Sequence, residues 1–117
     1  MKPVPDDFLP LAPATLHILL SLAGEPMHGY GIMREVLRQS DGRYNLGPGT
    51  LYDNLQRLMK QRMVEEVAEA SGEENSRRRY YRLSGLGRGV LSQEVARLED
   101  VVREGRMRLR SLKPRRT

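Results

Sequence analysis

Leu16, Ile18, Leu19, Leu20 and Leu22 occupy nearly every side of a short stretch behind Pro13, which predicts a central helix with proline in its first turn. Gly24 and the Glu25-Pro26 pair should stop it, because Gly accepts a left-handed cap and the residue before Pro is pushed out of the helical region. A second helix is expected over 30–39, where Ile32, Met33, Val36 and Leu37 recur at helical spacing and Arg34, Glu35 and Arg38 fall opposite. Ser40-Asp41-Gly42 ends it, and 44–46 reads as a brief strand. Gly47-Pro48-Gly49-Thr50 then opens a third helix. Its buried stripe is Leu51, Leu55, Leu58 and Met59; its outer side carries Asp53, Gln56, Arg57 and Lys60, with Thr50 at the edge and Tyr52 on the flank.

Residues 64–70 and 79–83 read as two strands, Tyr81 and Leu83 pointing one way. The polar, Gly-containing run between them, ending in Arg77-Arg78, predicts a hairpin loop with a cationic end. From Ser84 onward Leu91, Val95, Leu98, Val102, Gly105, Leu109 and Leu112 alternate four and three residues apart, a heptad seam. A helix over 84–112 is ~43 Å long at 1.5 Å per residue, more than one small domain hides, so the seam is expected to pair with a second chain.

The expected fold is therefore mainly α with a small β-hairpin wing: a winged helix-turn-helix followed by a long C-terminal dimerisation helix. The expected division is an arm (1–10), the winged domain (11–83), the dimerisation helix (84–112) and a basic tail (113–117). In such a module the third helix enters the major groove while cations on the wing hold phosphates, so the expected partner is double-stranded DNA.

Composition sharpens this. The chain has 117 residues, room for one compact unit and an appended element, with six aromatic residues and no Trp, so the core must be aliphatic and small. The absence of Cys removes disulfides and thiolate metal sites and leans toward the cytoplasm; His17 and His28 alone cannot build a zinc cluster, and no metal or cofactor is expected. The longest apolar stretch, 16–23, is too short for a bilayer, and residues 1–10 lack the basic start and apolar run of a secretory signal, so no membrane association or processing is expected. The net charge of +5 is concentrated: 76–89 holds five Arg and no acid, and 103–117 holds seven basic residues and one acid. Clustered cations attract a polyanion by Coulomb force and counterion release.

Three segments, HGYGIMREV (28–36), LGPGTLYDNLQRLMKQRMVEE (46–66) and RRRYYRLSGLGRGVL (77–91), resemble the PadR family of transcriptional regulators in order and spacing. The resemblance implies dimeric DNA-binding repressors with a winged N-terminal domain and helical dimerisation, many responding to small aromatic or drug-like molecules. It also implies that Thr50 and Tyr52 of the Pro-Gly-Thr-Leu-Tyr motif lie at the DNA surface. Gly47 stands where many relatives carry a capping Ser, and Gly85 where Pro or Glu is common, so both helix starts are expected to be less firmly set here.

The residues expected to contact DNA are Thr50, Tyr52, Gln56, Arg57, Lys60, Arg77 and Arg78; those expected to pair two chains are Leu91, Val95, Leu98, Val102 and Leu109. Asp53 either accepts from a cytosine amino group or orients a neighbouring Arg. Any effector is expected between the terminal helices and the first helix, near Leu16, Leu20 and Leu98. His28 and Tyr30 are assigned to helix entry and packing. The pairs Glu65-Glu66 and Glu73-Glu74 do not make a nuclease site, since strand neighbours face opposite ways and loop pairs are mobile, and no catalytic residue is expected. The competing reading is a non-enzymatic adaptor using the same module for protein contacts, which excess acid on the third helix would favour.

Overall fold

The structure is a computed structural model describing residues 4–67 and 79–112. A 3-10 turn, Pro5–Phe8, leads into α1 (Pro13–Ser21), β1 (Met27–His28), α2 (Gly29–Gln39), α3 (Pro48–Lys60), β2 (Val64–Val67), β3 (Tyr80–Leu83) and α4 (Gly85–Ser111). The strands form one antiparallel sheet in the order β1-β3-β2, with Met27 opposite Tyr81 and Val64 opposite Leu83. This is a winged helix-turn-helix with a long final helix.

The core follows the hydrophobic pattern. Ile18, Leu19 and Leu22 of α1 and its cap, Ile32 and Val36 of α2, and Leu51, Leu55 and Leu58 of α3 meet Val64, Tyr81, Leu83, Val90 and Leu91. Each such side chain contributes about 1.5–3 kcal/mol on burial. Polar atoms tie the layers as well: Gln39 of α2 donates to Ser21 Oγ and lies 3.0 Å from His17 Nδ1, and Thr15 Oγ1 donates to Asn54 Oδ1 across α1 and α3. Asn54 is buried although the apolar stripe alone had left it out; its amide also donates to the Thr50 carbonyl one turn back.

Three local expectations change. Residues 44–46 form no strand, because the Tyr44 N–H donates to Ser40 Oγ and its ring packs 5.0 Å from that of His17, leaving no ladder to join. The third strand is instead Met27–His28, whose two residues pair only with β3. Gly24 takes no left-handed conformation; α1 closes on Leu22, whose N–H reaches the Ile18 carbonyl, while the positive φ values belong to Asp41, Gly42 and Arg62 at the ends of α2 and α3.

The starts of α3 and α4 differ. Gly47 caps α3 with no side-chain bond, as its lack of a hydroxyl dictates. The α4 start is firm despite Gly85, since Ser84 Oγ accepts from the Gly87 N–H and donates to the Arg62 carbonyl. A side chain at Gly87 would run into the Met63 carbonyl, so α4 enters the domain only because that position carries none.

Candidate nucleic-acid interface

Burial of Leu51, Asn54, Leu55 and Leu58 fixes the rotation of α3, and Thr50, Tyr52, Asp53, Gln56, Arg57 and Lys60 are left exposed. Among the described residues Asp53, Arg57 and Lys60 enter no ion pair, so the two cations outweigh the one acid on this face. Arg57 borders a narrow groove of about 180 Å³ with Phe8, Pro10, Leu11 and Gln61, which sets it beside the N-terminal arm. On the opposite flank Tyr52 is 46% exposed, but its hydroxyl leans over Gly29, where an added Cβ would approach to 2.5 Å. Beneath it Tyr81 is buried, and that burial, with Tyr52 nearby, raises its phenol above its ordinary value.

The wing strands carry charges that pair with one another across the sheet. Glu66 lies 3.2 Å from Arg79 and Glu65 lies 3.5 Å from Arg82, both on exposed parts of the sheet. Two of the five Arg in the 76–89 cluster are thus matched by strand acids, and both Glu are occupied as ion-pair partners. Cross-strand register was needed to see this: Glu65 faces Arg82 directly, while Glu66 and Arg79 meet on a diagonal. Arg77 and Arg78 lie outside the described residues.

His28 caps α2, its Nδ1 accepting from the Gly31 N–H. Tyr30, assigned above to packing, is instead 60% exposed. No group of three or more His, Asp or Glu among the described residues could hold a metal ion.

Along α4 the heptad seam divides. Leu91 is 7% exposed and packs into the chain's own core, so it is not free for a second chain; the expectation fails there because the helix is still crossing its own domain. Beyond it Val95, Val102, Leu109 and Leu112 remain 39–70% exposed, with Val101 and Met107 at 55% outside the seam. The other faces are laced by Asp100–Arg103 and Glu104–Arg108 pairs. Leu16 and Leu20 of α1 and Leu98 of α4 do come together, lining with Glu99, Arg103, Arg106 and Arg110 an open groove of about 610 Å³.

Comparison with known proteins gives concordant results. The family described as "Transcriptional regulator PadR-like family" matches residues 18–93. A curated relative, transcriptional regulator Rv3488 of Mycobacterium tuberculosis, is 34% identical over 93 residues, covering 80% of this chain and 82% of that protein. Among solved structures, a PadR family transcription regulator from Clostridium difficile superposes with a TM-score of 0.70 at 19% identity, covering 84% of this chain and 99% of that one. Bacillus subtilis PadR, solved in complex with operator DNA, superposes with a TM-score of 0.59 at 17% identity over 69% of this chain and 45% of its own length.

Proposed function

The chain belongs to the transcriptional regulator PadR-like family, and on that premise we propose that it is a homodimeric repressor acting in the cytoplasm on a pseudo-palindromic operator. It is a DNA-binding transcription regulator rather than an enzyme. Two α3 helices, one from each copy, read half-sites ~34–36 Å apart. The division proposed is the one expected from sequence: arm, winged domain, pairing helix and basic tail.

The observation that carries this reading is the exposed face of α3, where Thr50, Gln56, Arg57 and Lys60 stand on a helix whose opposite face is locked into the core. A rigid helix with hydrogen-bonding groups and a cationic surplus suits base edges and phosphates. Arg77 and Arg78 add phosphate contacts from the wing by charge. Val95, Leu98, Val102 and Leu109 supply the pairing surface, supported by their exposure, or half-burial for Leu98, in the single chain. The groove at Leu16, Leu20 and Leu98 adjoins that surface and suits a small aromatic or drug-like effector, which relieves repression by changing the angle between copies.

Selection of bound fragments from random duplexes tests the reading. A consensus of two inverted half-sites about one helical turn apart is expected. Indifference to base order, or no retained DNA, overturns it and leaves the adaptor.

A further inference from the structure

Four side chains at the junction of α2 and the sheet form a ladder that the α3 interface does not use. The His28 ring lies 6.4 Å from that of Tyr30 with planes 17° apart, and meets Tyr80 of β3 edge-on at 5.4 Å. The Arg34 guanidinium stands 5.8 Å from the Tyr30 ring centre, a cation held over an aromatic face. Tyr30 is 60% exposed and Arg34 is exposed.

Two features make this more than a solvated helix face. Glu35, the adjacent acid, is engaged by Arg38 through both carboxylate oxygens, and among the described residues Arg34 enters no ion pair. Its guanidinium is therefore open to an anion, although Glu25 and Glu35 line the same groove. The ladder also has a fixed place relative to the α3 face. Tyr30 follows Gly29, the residue under the Tyr52 hydroxyl, and Tyr80 opens the wing strand β3. The ladder thus runs from the first turn of α2, next to the Gly29–Tyr52 contact, to the loop end of the wing strands, where Tyr80 pairs with Val67.

We propose that Arg34 and the Tyr30 hydroxyl form a second contact to the duplex, binding a backbone phosphate outside the bases read by α3. The guanidinium offers paired N–H donors and the phenol one O–H donor, both suited to phosphate oxygens. Stacking on His28, itself braced by Tyr80, presents the two donors already ordered. This contact rests on the DNA-binding reading and deepens it: it adds affinity and register without reading sequence.

The test uses the full chain and a duplex selected as above, with a scrambled duplex beside it. Affinity is measured from 50 to 200 mM salt for the wild type, Arg34→Ala, Arg34→Lys and Tyr30→Ala, with thermal unfolding as a check on folding. For Arg34→Ala the slope of log affinity against log salt should fall by about 0.9 for each protomer engaged. The deficit of the variant should accordingly shrink about threefold per protomer across that range, equally on both duplexes. Arg34→Lys should restore the slope. Tyr30→Ala should weaken binding, and adding Arg34→Ala to it should cost less than Arg34→Ala alone. An Arg34→Ala slope equal to wild type, or a loss confined to one base pair, overturns the proposal while leaving DNA binding intact. If the wild type itself retains no duplex, the reading beneath it has failed as well.

Discussion

The Tyr52 hydroxyl sits over Gly29 so closely that a Cβ on Gly29 would come within 2.5 Å of it and 3.0 Å of the ring carbon that bears it. This contact joins the first turn of α2 to the flank of α3. Gly29→Ala should push the half-exposed Tyr52 ring aside and destabilise the fold by no more than about 1 kcal/mol, because the group it meets is the free end of a side chain that can move. Adding Tyr52→Ala should return part of that loss, because the second change removes the clashing group. Urea unfolding of both single variants and the double variant measures the coupling; strictly additive losses would show that the two residues do not press on one another.

A second relationship links the arm to the last helix. Glu94 is buried, accepts the Leu11 N–H at 2.8 Å and is gripped by Arg97 through two hydrogen bonds. The Arg97 bonds and the Leu11 N–H hold its carboxyl below the ordinary value of 4.5 against the opposing pull of burial. A carboxylate with a depressed folded value stabilises the fold fully above 4.5, and that contribution disappears as pH falls through the depressed value. Stability of the wild type should therefore decline below about pH 4.5 more steeply than that of Glu94→Gln. At neutral pH the variant should be about 1–3 kcal/mol weaker, since Arg97 and Leu11 lose a charged acceptor. Parallel pH profiles for the two proteins would remove Glu94 from this role.

Pairing of chains is tested where the seam is free of the core. Val102 is 49% exposed, so Val102→Glu should leave the domain folded while placing charge in a surface that pairing would dry. Sedimentation should show folded monomers, melting below the wild-type dimer because pairing no longer stabilises the folded chain. Leu98→Glu should do the same with some loss of stability, because Leu98 is half-buried in the single chain. A dimer persisting in both variants would move the interface elsewhere.

On the exposed face of α3, Arg57→Ala should cost about 1–3 kcal/mol and relax preference at one base pair if Arg57 reads a guanine. Lys60→Ala should weaken all sequences alike and reduce the salt slope by about 1. An even loss for Arg57→Ala would reassign it to phosphate.

Removing the α4 cap gives a local measure. Ser84→Ala leaves the Gly87 N–H and the Arg62 carbonyl without their side-chain partner and should cost about 1 kcal/mol by thermal or urea unfolding. An unchanged midpoint would show that tertiary contacts at Gly87 alone hold the helix start.

The hydrophobic spacing alone determined the four helices, the two longer strands and the outward face of α3, because burial of an apolar stripe fixes the rotation of an element about its own axis. Thus Leu51, Leu55 and Leu58 point inward, and Gln56, Arg57 and Lys60 outward, as their positions dictate. Tertiary structure decided what depends on residues far apart in the chain meeting. Met27–His28 became a strand only because β3 lies beside it, and 44–46 did not because no partner does. Asn54 and Glu94 are buried against their polar nature, since Thr15 in one case and Leu11 with Arg97 in the other supply the hydrogen bonds that make burial tolerable. Likewise the seam of α4 reads as one stripe in sequence, yet Leu91 faces its own core and Leu109 faces solvent. A heptad records which side of a helix is apolar; where the domain ends along that helix is set by the packing of everything else.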